Sequence, residues 1–351
     1  MAELDDFEGL LDWSKLQDWV ASQDLPGSGE VSAVERLAGG SQNNVFLLTR
    51  GDSRMVLRRP PEHLRKNSNT TMLREARVLG ALKGTDVPHP EFYAVCSDTD
   101  VIGTCFYLMQ PIDGFTPMGE LPGRYREDAE WRHSLGLSMA DAAAALGRVD
   151  ANAVGLSDFG KPDNWIERQV ARWRSQLDGY SEMQGYGKPD LPGVDRTAEY
   201  LDGNRPNDFH LGIIHGDYQH ANVMASHDRP EVAAIIDWEL STLGDPRLDL
   251  AWLLTATVED GDPPGIKAYY QPSEGFPLRQ ELIARYHEQT GLSVDDIHWW
   301  FVLGCYKLGI LLEGSHARAC AGKAPKQMGD MLHRHASWLF AKANQLVDEA
   351  S

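Results

Sequence analysis

Residues 213–239, "IIHGDYQHANVMASHDRPEVAAIIDWE", constrain this chain more than any other stretch. Two runs of apolar β-formers each end in an acid, Asp217 and Asp237, and Asn222 follows the first acid by five residues. An aspartate after a strand ordinarily caps a helix or forms a turn. The joint pattern of His-Gly-Asp, an Asn five residues on and a second strand closing in Asp is much rarer than either acid alone. A loop with D-x-x-x-x-N spacing can aim a carboxylate at a substrate hydroxyl while its last residue turns back toward a metal. The strand "VAAII" would deliver Asp237 rigidly to the same cleft. Asn222 and Asp237 then offer hard oxygen ligands suited to magnesium beside nucleotide phosphates.

The rest of the chain suggests what would surround such a cleft. With 351 residues and 42% hydrophobic content, two lobes are the starting expectation. From residue 31 to 61, "VSAVERLAGG", "NNVFLLTRGD" and "RMVLRRPP" read as three strands joined by Gly-Gly and Gly-Asp turns. "NTTMLREARVLGALKG" follows as an amphipathic helix with Met72, Ala76, Leu79 and Leu82 on one face and Gly84 at its end. "HPEFYAVC" and "CFYLMQPI" add two strands, so the first 110 residues form an α+β lobe with a five-stranded, mainly antiparallel sheet and one helix. Before it, Asp12 caps a short helix over residues 12–24. A short hinge at 111–115 leads into residues 116–351, where the pattern is mostly helical: 128–149, 163–177, 280–290, 297–320 and 331–350. Only the two strand signals of the 213–239 stretch interrupt it.

Charge narrows the partners. Lys and Arg total 33 against 52 Asp and Glu, a formal net charge of -19, which repels a phosphate backbone or an anionic membrane. Nucleic acid and membrane surfaces are therefore not expected as partners. The cysteines 96, 105, 305 and 320 lack metal-site or paired spacing and read as reduced thiols. No basic leader and no stretch of roughly 20 apolar residues is present, so a cytoplasmic location is expected.

The motifs "HGDYQHAN" and "IIDWE" resemble the catalytic loop and metal-binding strand of the aminoglycoside phosphotransferase and choline kinase-like family, relatives of the protein kinases. The resemblance extends to "STLGDPRLDLAWLL", containing Gly244, Asp245, Asp249 and Leu250. In "GKPDNWIERQVARW" it is similar to the branch whose members occur fused to acyl-CoA dehydrogenases. It implies a bilobal protein kinase-like fold and an ATP- and Mg2+-dependent phosphotransferase acting on a hydroxyl of a small molecule. In that reading Asp217 is the catalytic base, and Asn222 with Asp237 holds the magnesium. His215 fixes the loop. "LAGGSQNN" occupies the place of the phosphate-covering loop, with Gly39 and Gly40 permitting close approach and Ser41 and Asn43 offering donors. Arg58 stands where kinases carry the strand lysine and Glu75 where the helix glutamate pairs with it. Alternation with Val56 selects Arg58 over Arg59, and an exposed salt bridge between Arg58 and Glu75 is the ordinary alternative. "FYLMQPIDG" resembles the hinge: Met109 is the gatekeeper, and adenine would meet backbone at Gln110 and Ile112.

On the helix 297–320, Lys307 and Arg318 lie within roughly 20° of each other. They form a candidate stripe for an anionic group on the acceptor, with a solvated ion-pairing face as the alternative. Polycationic acceptors are favoured by the net charge, and a hydroxy acid or its acyl thioester by the paired cations. Two other readings compete with a kinase. A non-catalytic nucleotide-binding module draws on Arg58 and the irregular glycine loop, and a metallohydrolase on His215, Asp217 and His220.

Overall fold

Strict alternation builds the first layer. In the computed structural model, which describes residues 10–37, 43–187 and 190–350, strands β1 (Val31–Arg36), β2 (Asn44–Arg50), β3 (Ser53–Arg59), β4 (Phe92–Cys96) and β5 (Phe106–Met109) form one antiparallel sheet in the order β1-β2-β3-β5-β4. Successive side chains point to opposite faces. Phe46, Leu48, Met55, Leu57, Phe106 and Leu108 all fall on one face and bury against Leu16 and Val20 of helix α1 (Trp13–Ala21). Trp19 meets Phe106 edge-on at 4.8 Å. The Asp12 carboxylate accepts from Lys15 N at the start of α1, as its capping role requires.

The other face of the sheet carries helix α2 (Ser68–Ala81). Met72, Ala76 and Leu79 make its apolar stripe, and Glu75 sits inside that stripe, fully buried. A carboxylate at such a position needs a partner. Arg74 ties α2 to the second layer by donating to the carbonyls of Phe159 (2.9 Å) and Ser241 (3.2 Å).

Beyond residue 110 the chain is helical: α3 (Gly123–Glu127), α4 (Ala129–Gly147), α5 (Glu167–Gly179), α6 (Val194–Gly203), α7 (Arg247–Ala256), α8 (Arg279–Thr290), α9 (Ile297–Cys320) and α10 (Lys326–Glu349). Together with the sheet lobe this is the bilobal α+β arrangement that the motifs imply. Two details differ from the sequence reading. More strands interrupt the helices than the two expected: β7 (Gly212–Ile214) pairs with β10 (Thr242–Gly244), β8 (Val223–Ala225) with β9 (Val232–Ile235), and β6 (Gly119–Glu120) with β11 (Tyr270–Gln271). Strands of two or three residues are too short to show a period. Helix α7 also lacked a periodic signal, because all ten of its residues are buried and no polar face exists to alternate with. Among the described residues, no helix is long and apolar enough to cross a membrane.

Candidate active site

The floor of the cleft is the 213–239 stretch. Strand β7 leads into Gly216, whose φ of +84° is left-handed and whose added Cβ would meet Leu240 O at 2.6 Å. Only glycine fits there, which accounts for His-Gly-Asp. The turn is clamped from below by Asp249 of α7, whose carboxylate accepts from His215 N (2.7 Å) and Gly216 N (2.9 Å). Burial pushes the Asp249 carboxyl up to about 6, against these two donors and Lys307, which pull it down. His215 is buried. Its Nδ1 accepts from Asp217 N (3.3 Å), so Nε2 carries the proton and donates to Ile236 O (2.9 Å). The imidazole joins the loop to the β9 end, and burial lowers its proton affinity.

Asp217 projects from this turn, half-buried. Its Oδ1 accepts from Gln219 Nε2 (2.8 Å), and Asn222 Nδ2 donates to both Asp217 O and Oδ2 (2.8 Å each). Burial raises its carboxyl to about 7; the two amide donors oppose that rise and Asp237 adds to it. With Nδ2 of Asn222 committed to Asp217, Oδ1 is the atom left to face a cation. Ile236 N donates to Asn222 O (2.9 Å), which places the end of β9 beside the loop. Asp237 follows at φ +66°, a left-handed conformation that aspartate tolerates better than most residues. The turn re-aims its carboxylate, 39% exposed, into the cleft.

Arg58 descends from the sheet. Its Nε lies 2.8 Å from Glu75 Oε2 and its NH2 donates to Asp237 Oδ1 at 2.6 Å. Tyr107, opposite Arg58 in register, donates its hydroxyl to Glu75 Oε2 (3.1 Å). Burial pushes the Glu75 carboxyl up to about 7 while Arg58 pulls it down. The exposed salt bridge considered from sequence is thus a buried one, with side-chain exposures of 11% and 0%. Arg59 points to the opposite face, as alternation demands, and donates to Leu10 O. Tyr107 carried no signal in sequence, since an apolar strand hides a hydroxyl that is polar only at its tip.

These groups line one cavity of about 1020 Å3 between sheet and helices. Asn43, Arg58, Met109, Gln110, Ile112, Asp217, Asn222 and Asp237 all contribute to its wall, and Glu75 sits behind Arg58. Gly39, Gly40 and Ser41 lie outside the described residues. Val45 and Val56 from the sheet, with Met224 and Ile236 from the 213–239 stretch, give the cavity wall an apolar part that it shares with residues 109–112. Gln110 N donates to Glu91 O (2.8 Å) and Glu91 N to Gln110 Oε1 (3.2 Å). Residue 110 can therefore offer the cavity its carbonyl and not its N–H.

The cation stripe on α9 is divided. Arg318 is exposed and donates to Ser315 Oγ (2.7 Å). Lys307 is 6% exposed, with Nζ 5.3 Å from the Trp173 ring and 5.9 Å from Trp165. Burial and Arg172 lower Lys307 to about 7, against Asp249 and Asp217. A shared helix azimuth does not mean shared exposure: Lys307 packs against Trp173 of α5, whereas Arg318 stands exposed in the last turn of α9. Asp249 and Lys307 influence each other's charge through the buried interior, a relation that sequence spacing did not reveal.

Comparison with known proteins places this geometry. The model of the phosphotransferase enzyme family (APH) matches residues 33–283. Acyl-CoA dehydrogenase family member 11 of Gallus gallus is 30% identical over 348 residues, covering 93% of this chain and 42% of that protein. The chain spans between 28% and 42% of the length of the curated relatives it matches. A solved candidate aminoglycoside phosphotransferase from Ralstonia eutropha superposes with a TM-score of 0.78 at 28% identity, covering 95% of this chain and 98% of that one. The GDP and kanamycin complex of an aminoglycoside 2''-phosphotransferase shares the fold at a TM-score of 0.61 and 17% identity, covering 91% of this chain and 97% of that one.

Proposed function

Because the chain belongs to the phosphotransferase enzyme family, we propose that it transfers the γ-phosphate of ATP, with Mg2+, to a hydroxyl of a small molecule. The observation that carries this reading is the convergence of Asp217, Asn222 and Asp237 on the wall of a single cavity that also carries apolar side chains. In this reading residues 1–110 form the nucleotide lobe, 111–115 the hinge and 116–351 the catalytic and substrate lobe. Adenine lies between Val45, Val56, Met224 and Ile236 and bonds to backbone at Gln110 and Ile112. In this reading Asn43 faces the phosphates, while Gly40 and Ser41, assigned to the phosphate-covering loop from the sequence, lie outside the described residues.

The donor set fits the metal. Asn222 Oδ1 and the Asp237 carboxylate are hard oxygens, and two protein ligands completed by phosphate and water are the usual provision for Mg2+. When bound there, Mg2+ neutralises charge on the β- and γ-phosphates. Arg58, permanently charged and held against Glu75, supplies a second positive centre. Asp217 orients the acceptor hydroxyl and takes its proton, and a carboxyl raised toward neutrality is a better base than an ordinary aspartate. Most of the acceleration then comes from positioning and fixed charge.

Lys307 favours a second reading of the acceptor. It is a buried amine whose protonated form Asp249 and Asp217 favour, and among the described residues it has no hydrogen bond or ion pair, so the negative charge of a hydroxy acid or hydroxyacyl thioester in the cleft would stabilise its ammonium form. The net charge of -19 favours a polycation. ADP release measured over a panel of cationic and anionic hydroxyl compounds separates the two. Mg2+-dependent release with one class is expected; nucleotide binding with no turnover on any acceptor would instead make the chain a non-catalytic nucleotide-binding module.

Asp237→Asn removes one ligand charge while Arg58 keeps Glu75. The Mg2+ concentration needed for half-maximal turnover is expected to rise at least about tenfold. A Mg2+ titration unchanged from wild type would remove Asp237 from the metal site.

A further inference from the structure

Away from the cleft, one group of three side chains with metal-ligand chemistry comes together among the described residues. Glu313 and His316 stand a turn apart on α9, His333 faces them from α10, and a donor atom from each lies within 4.8 Å of the others. Close helix approach builds the cluster. Gly329 of α10 sits so near α9 that an added Cβ would be 2.3 Å from Ala319 Cβ and 3.6 Å from His316 Nδ1, so the His316 ring presents Nδ1 to α10.

Ordinary hydrogen bonding accounts for part of this arrangement. Tyr186 donates to Glu313 Oε1 (2.6 Å) and His333 Nδ1 pairs with Oε2 (2.7 Å). It does not account for His316. Its Nδ1 is shut off from solvent and has no hydrogen-bond partner, the nearest carboxylate oxygen being Asp330 Oδ1 at 3.8 Å. Its other nitrogen, Nε2, lies 3.5 Å from Cys320 Sγ. A buried ring nitrogen left unpaired calls for an explanation, and an imidazole whose second nitrogen is engaged elsewhere is how proteins aim a metal ligand.

We propose that the α9–α10 seam binds a divalent transition-metal ion of the Zn2+ class through Glu313, His316 and His333. Two imidazoles and one carboxylate suit a borderline ion, whereas Ca2+ and Mg2+ prefer oxygen-only sites. Tetrahedral bonds of about 2.0 Å set donor atoms about 3.3 Å apart. The Glu313–His333 contact must therefore open by about 0.6 Å while the wider donor pairs draw in toward the ion, movements that His333, whose side chain is 30% exposed, can supply by side-chain rotation. The proton between Glu313 and His333 leaves to solvent on binding, and water or Asp330 completes the fourth position. Nine residues of helix, about 13 Å, separate His316 from Lys307. The ion therefore acts as a staple holding α10 to α9 and takes no part in phosphate transfer.

Untagged protein, stripped with chelator and titrated with Co2+ and then Zn2+, tests the proposal. Wild type is expected to take up one equivalent of Co2+ with visible bands of a nitrogen- and oxygen-ligated ion, displaced by Zn2+, and to melt at higher temperature in Zn2+ than in EDTA. His316→Ala and His333→Gln should both weaken Zn2+ binding by about a hundredfold or more and abolish the melting shift, whereas Asp237→Asn should retain both signals. Should His316→Ala fail to fold, His333→Gln at its half-buried position decides alone. Equal stoichiometry and equal melting shifts in wild type and His333→Gln would overturn the staple, as would loss of the signal in Asp237→Asn only, which would put the ion in the cleft.

Discussion

Asp217→Asn is expected to lower kcat by about a thousandfold while leaving nucleotide affinity within twofold of wild type, since a positioned general base contributes roughly 10²–10⁴. The substitution is close to isosteric. An Asn oxygen at this position can still accept from Asn222 Nδ2, so the turn held by Asp249 and Gly216 keeps its shape. What disappears is the negative charge proposed to orient the acceptor hydroxyl and take its proton. Steady-state ADP release beside calorimetric nucleotide binding reads the two effects separately. Turnover near the wild-type rate would strip Asp217 of its role, and a parallel collapse of nucleotide binding would show that the loop itself had been lost.

The second large effect is expected at a residue outside the cavity wall. Asp249→Ala removes the acceptor of two buried backbone donors, His215 N and Gly216 N, and takes the carboxylate away from Lys307. Each orphaned buried donor costs about 1–3 kcal/mol. A loss of about 3 kcal/mol in unfolding free energy is therefore expected in urea titrations, with the midpoint lowered and the slope unchanged. Activity should fall as well, by about a hundredfold, because displacing the turn by an ångström misplaces Asp217 relative to the acceptor. Asp249→Asn, which keeps one acceptor oxygen but sets an NH2 group against an N–H, should fall between Ala and wild type in both assays. Wild-type stability in Asp249→Ala would mean that water or a rearranged loop satisfies those donors.

These expectations come from two levels of organisation. The roof of the cleft was legible because sheets alternate: Val56 and Arg58 share a face, Arg59 must take the other, and the register then sets Tyr107 opposite Arg58. The stripe of α2 was equally legible from Met72, Ala76 and Leu79. Helix α7 was not, because a helix buried on every side has no polar face, so its Asp249 could be placed in a family motif but not given a task. The stripe joining Lys307 to Arg318 misled for a related reason. Helical geometry fixes the azimuth of a side chain, but what covers that azimuth is decided by neighbours distant in sequence.

The sequence by itself determined the spacing of Asp217, Asn222 and Asp237, the glycine that lets the first of them turn, and the side of the sheet from which Arg58 approaches. All of these are local consequences of covalent geometry and strand periodicity. Only the tertiary structure decided that Asp249 clamps the loop, that Lys307 lies buried under Trp165 and Trp173, and that His316 meets His333 across two helices. Those arrangements depend on close packing between segments tens to hundreds of residues apart, which no local period records.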